Sequence, residues 1–446
     1  MKSVIWALWL TTLLALGGWY GYQLYAGEDL QAFNPGPLSA GHHQLEQACG
    51  ACHSSPLGGG EILQQACVNC HGAELKAAHD AHPQSKFSDP RNADRLAHLD
   101  ARYCLACHVE HAPERTRPLA VTQPDDFCVH CHADIAEERP SHQGMAFASC
   151  ASAGCHNYHD NRALYEDFLV KGADQPVLRS IARIAAPASL ADKHPDWPKP
   201  AGAAQADAPV EHLNAAAVAD WLASGHAAAG VNCSACHQPG GASWQAKPQL
   251  ATCQGCHAGE AQGFFAGKHG MRLNPALPVK LAPMRTEWGR LPFTAASAGH
   301  ELGCSSCHGA HRFERREAAV QACLGCHADE HSLAYRDSPH HRLWQAEQRG
   351  ELPPGSGVSC ASCHLPRQLA EVQGHERRLV QHNQNANLRP NEKMLRGVCL
   401  DCHGLPFALD ALADPALLEN NFQGAPAQHV PSVDMALERA RSELHR

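Results

Sequence analysis

The sequence predicts a mainly α-helical chain with extensive irregular loops, little or no β-sheet and one N-terminal transmembrane helix. Three observations lead there. An uncharged run of apolar and aromatic residues stands at the N-terminus. Aromatic residues make up only 6% of the 446, and much of the 44% apolar content is alanine, a thin supply for a conventional core. Finally, a pattern of two cysteines followed at once by a histidine recurs too densely to leave room for long strands.

The pattern first reads Cys49, Cys52, His53. It returns at Cys67, Cys70, His71; at Cys104, Cys107, His108; and at Cys128, Cys131, His132. A stretched version follows at Cys150, Cys155, His156, with four residues between the cysteines. After a gap come Cys233, Cys236, His237; Cys253, Cys256, His257; Cys304, Cys307, His308; and Cys323, Cys326, His327. The last two are Cys360, Cys363, His364 and Cys399, Cys402, His403. Eleven motifs use two cysteines each, and the chain has 22.

C-x-x-C-H is the attachment sequence for c-type haem. Two thiols one helical turn apart add across the two vinyl groups on one porphyrin edge. The adjacent histidine is carried under the ring, where its imidazole binds the iron. Paired C-x-x-C units also build zinc ribbons, but zinc does not require a histidine directly after each second cysteine. A disulfide framework explains none of the histidines. Eleven covalently attached haems c are therefore expected. Each is a flat apolar plate larger than a tryptophan, so the fold should be packed around haem.

Histidine supplies a second count. There are 33, and eleven belong to the motifs, which leaves 22 for eleven distal positions. Methionine, the usual alternative axial ligand, occurs six times, so ligation should be mostly bis-histidine and the potentials correspondingly low. The formal charge is −9. Each oxidised bis-histidine haem adds roughly −1 once its propionates are counted, and an acidic holoprotein argues against nucleic acid as a partner.

In chain order, residues 1–27 read as a transmembrane signal anchor. Lys2 precedes the apolar run, and Trp19, Tyr20, Tyr22 and Tyr25 crowd its far end. That arrangement suits a helix with its N-terminus in the cytoplasm. A cleaved signal peptide is the rival, but no good cleavage site follows. The rest of the chain is then exported, which haem attachment also requires. Residues 28–165 read as a pentahaem domain, residues 166–210 as an alanine- and proline-rich linker, and residues 211–446 as a hexahaem domain.

Distal ligands are sought among the spare histidines. His42 or His43 lies just before the first motif, and His43 is taken with His82, His98, His111, His142 and His159 for the first five haems. His111 and His159 each lie three residues after a motif histidine, pointed away from their own haem and toward a neighbour. His130, between two motif cysteines, is the poorest candidate. Repeated lead-ins place a histidine on a probable helix end before a motif, as with His226, His300 and His340. Those three, with His269, His311 and His375, are the distal candidates for the six later haems. His331, His341 and His382 stand in reserve.

The segment 49–160 resembles the class III multihaem electron-transfer cytochromes, through its dense motifs, the stretched variant and the spare histidines. That resemblance implies electron transfer. The second half resembles the octahaem hydroxylamine oxidoreductase superfamily. The residues that carry this are Gly267-Lys268-His269-Gly270, Ser338-Pro339-His340, Val358-Ser359-Cys360 through His364-Leu365-Pro366-Arg367, and Arg396-Gly397-Val398-Cys399 to His403. It departs in having six motifs rather than eight. It also has no tyrosine after Tyr335 to cross-link a special haem from beyond the last motif.

The expected function is a membrane-anchored cytochrome of the bacterial periplasm, held at the inner membrane and carrying electrons. Its partners would be a quinol-oxidising membrane complex or a periplasmic oxidoreductase. The alternative is an enzyme with one open haem in residues 211–420, acting on a small nitrogen or sulfur oxyanion. No dinucleotide fingerprint or P-loop competes with either reading.

Overall fold

The computed structural model describes residues 2–27, 33–55, 58–117, 120–150, 158–159, 169–170, 172–178, 201–372, 375–384, 386 and 392–444. Cys155 and His156 of the stretched motif lie outside the described residues. The chain divides into two compact units. One comprises Met1–His132 with Pro275–Leu281, the other Ala133–Asn274 with Ala282–Arg446.

The fold is mainly helical, as expected. The paired strands among the described residues are Arg367–Val372 and His375–Val380, an antiparallel hairpin with Arg367 opposite Val380 and Val372 opposite His375. The helix Lys2–Ala26 buries no residue and spans 25 residues. At the α-helical rise that is about 37 Å, enough to cross a bilayer core of about 30 Å.

In the first unit the long helix Gly60–Ala78 carries Cys67, Cys70 and His71. It ends at His79 in the left-handed region (φ 52°), where the Asp80 amide reaches back to the Leu75 carbonyl. That is a Schellman closure made without glycine. The first and third motifs sit on single turns, Cys49–Ala51 and Cys104–Ala106. The buried apolar side chains described in this unit are Leu38, Ala48 and Phe87. So little protein core cannot offset the conformational entropy of a folded domain. The missing apolar surface must come from the groups the cysteines carry.

The second unit has a core of its own. Met394, Leu395, Leu405, Leu409, Leu412, Val430, Val433 and Ala436 are buried together. The helices Leu405–Ala413 and Ser432–Leu444 contribute most of them. Leu169 and Leu178 belong to the same cluster. The stretch expected as a linker from 166 therefore begins by docking its leucines into this core. The second unit begins at Ala133. Val320, Leu324 and Tyr335 form a smaller cluster beneath Trp344 and Cys360.

Local chemistry fixes the motif turns. Asn232 caps Cys233–His237 by accepting from the Cys233 amide. Ser359 and Ser362 form a reciprocal capping box around Cys360–His364. Buried Ser338 accepts from the His341 amide and starts the helix Pro339–Gln348, with Pro339 at its first position. His340 is thereby held at a helix start.

Candidate haem-binding sites

The motif histidines of the second unit do not stand alone. His237 faces His311 with ring centroids 5.9 Å apart, and His257 faces His226 at 5.9 Å. His308 faces His382 at 6.2 Å, and His327 faces His269 at 6.1 Å. His364 faces His331 at 6.1 Å, and His403 faces His340 at 6.3 Å. In the first unit His71 faces His42 at 5.9 Å and His132 faces His82 at 6.2 Å. Rings in contact would be closer. Two imidazoles bound to opposite faces of one iron, each through a bond of about 2 Å, have centroids about 6.3 Å apart. The spacing fits a haem iron between each pair.

Hydrogen bonds at Nδ1 set the tautomer that leaves Nε2 free to bind metal. His237 donates to the Gln245 carbonyl (2.6 Å) and His108 to that of Ala120 (3.1 Å). Among the facing rings, His382 donates to Val380 O (2.8 Å) and His331 to Leu418 O. His42 donates to Glu110 Oε1 (2.7 Å), and Glu110 also accepts from the amide and hydroxyl of Ser39. Burial alone would raise the Glu110 pKa. The bonds from His42 and Ser39 outweigh it and bring it down to about 2.

Burial lowers His269, His340 and His364 to about 4, each helped by a facing histidine. These rings are neutral near neutral pH, the form an iron ligand must take. Burial likewise pushes the Cys107 and Cys363 thiols up to about 11, and Cys399 to about 12. A zinc site needs thiolates and suffers from such burial. A thioether carries no charge and does not. Nor do three or more metal-ligating side chains converge anywhere among the described residues.

Neighbouring motifs lie against one another. The side chain of Cys67 lies beside that of Cys104, as Cys253 does beside Cys304 and Cys323 beside Cys360. Cys52 feels the charge of Cys70, Cys236 that of Cys253, Cys307 that of Cys323, and Cys363 that of Cys402.

Of the distal candidates, His82, His226, His269, His311 and His340 stand opposite motif histidines. Three facing rings come from the alternative and the reserves: His42, His382 and His331. His42, not His43, faces His71; the His43 Nδ1 donates to the Ala40 carbonyl instead. His300 is exposed at a glycine turn and faces no motif ring, and His382 takes the place opposite His308. His331, held in reserve, stands opposite His364. The His375 side chain lies outside the described residues. His98 stacks beside His130 at 6.0 Å rather than against a motif histidine. His111 donates to the Gly36 carbonyl (2.7 Å). The motif histidine nearest in sequence to His159, His156, lies outside the described residues.

Paired histidines around paired thiols, repeated along a chain with little other core, define a multihaem electron-transfer cytochrome with covalently bound haem c. Residues 41–133 match the family model of cytochrome c3. No solved structure matches the chain.

Proposed function

We propose that the chain is an undecahaem conduit of the bacterial periplasm, anchored in the inner membrane by Lys2–Ala26. It would pass electrons between a quinol-oxidising membrane complex or periplasmic oxidoreductase and a further redox protein. One observation carries this: each of the six motif histidines from His237 to His403 faces a second histidine at 5.9–6.3 Å. Haem supplies a reversible one-electron couple, and two histidines on each iron leave no site for a substrate. The residues do the rest. Backbone carbonyls and Glu110 orient the imidazoles, and the cysteines of successive motifs stand beside one another from Cys236 to Cys402. The same pairs weigh against an oxyanion-reducing enzyme in residues 211–420, which needs one iron without its second ligand.

Voltammetry of the haem-loaded protein on an electrode tests the proposal. The expected result is a broad reversible wave that nitrite, hydroxylamine and sulfite leave unchanged. A catalytic current with any of them would overturn it.

A further inference from the structure

We infer that residues 225–328 are a second copy of the tetrahaem module at 41–133, wired by the same ligand pattern, and that His111 is therefore the distal ligand of the haem on Cys49 and Cys52. The inference rests on the bis-histidine reading above and extends it to a haem that no facing pair closes.

The two stretches open alike. Gly41-His42 stands seven residues before Cys49, and Gly225-His226 stands seven before Cys233. In each, that histidine faces the histidine of the second motif rather than the first: His42 faces His71 and His226 faces His257, both at 5.9 Å. One histidine between the second and third motifs faces that of the fourth in both, His82 with His132 at 6.2 Å and His269 with His327 at 6.1 Å. The first cysteines of the second and third motifs lie beside each other in both, Cys67 with Cys104 and Cys253 with Cys304.

The third motif completes the match. It continues as C-H-x-x-H in both stretches, ending at His111 and at His311. Both histidines take the left-handed backbone conformation, with φ 58° and 67°. A residue with a Cβ rarely adopts this conformation, so its occurrence at both positions marks a shared constraint. The turn aims the ring away from its own motif. In the second copy it brings His311 to within 5.9 Å of His237, the first motif's histidine. The equivalent target of His111 is His53. The Nδ1 of His111 is already held by the Gly36 carbonyl, and Cys52 feels the charge of Glu110, its neighbour in sequence.

The test uses full-length, fully haem-loaded protein, with haem content checked by mass and spin state by EPR. His111→Ala should convert about one haem per chain from low to high spin. That signal should vanish when Cys49 and Cys52 are also replaced by serine, since the affected haem is then gone. His311→Ala is the control. If it yields a high-spin haem and His111→Ala does not, the shared wiring is wrong while bis-histidine ligation stands. If neither does, the ligation reading fails and takes this inference with it. His111→Met guards against loss of folding. It should keep the haem low-spin and introduce the near-infrared band of histidine–methionine ligation, and an unchanged spectrum would overturn the assignment.

Discussion

In the unit Met1–His132 the described buried apolar side chains are Leu38, Ala48 and Phe87, while the second unit gathers eleven buried residues into one cluster around Leu395, Leu409 and Val433. Both carry the same motif and the same facing histidines. They differ in how much of the folding free energy the polypeptide itself can supply. The first unit must obtain nearly all its apolar burial from haem, so cofactor attachment and folding are one event there. The second keeps a scaffold, in the helices Leu405–Ala413 and Ser432–Leu444, that sequence alone can begin to build.

The largest effect should come from removing haem altogether. In apoprotein, amide hydrogen exchange across residues 33–132 should be close to that of an unfolded chain, with residual protection confined to residues 394–437. Equal protection in both regions would erase the contrast. Next come the ligands. His382→Ala and His331→Ala should each produce about one high-spin haem by EPR, and His300→Ala none.

Cavities should separate the units further. Leu409→Ala removes a side chain that is only 3% exposed, and should cost about 2–5 kcal/mol in the second unit by denaturant unfolding. In the first unit polar contacts matter more. Glu110→Ala should cost roughly 1–3 kcal/mol by stranding its donors, with Glu110→Gln milder.

The smallest effect is a pH dependence. Asp410 and then Asp434 raise the pKa of exposed His429 above its ordinary 6.5. A raised pKa means the charged pairing stabilises fully below the unfolded value and is lost as pH rises through the folded one. His429→Asn should thus lower the melting temperature at about pH 6 and match the native protein at about pH 9.

The haem attachments were legible because covalent chemistry needs contiguous residues: both thiols and the first imidazole must lie on one turn. His226 and His311 were legible for a similar reason, being tied to a motif by short spacing. His382 and His331 were legible only as reserves. Each meets its partner through the fold. His382 is set by the end of the hairpin Arg367–Val380, and His331 by the Leu418 carbonyl, far along the chain. The choice of His42 over His43 turned on Glu110, a carboxylate no local pattern connects to them. The packing of Leu169 and Leu178 was not legible, because alanine and proline dominate residues 166–210 and read as a linker.

The central claim is that the irons are closed by paired histidines. Low-temperature EPR on the oxidised, fully loaded protein tests it most directly. Low-spin signals that account for every haem, unchanged by nitrite, hydroxylamine or sulfite, are the predicted result. A high-spin signal of about one haem per chain that shifts with any of these ligands would contradict it and make the chain an enzyme.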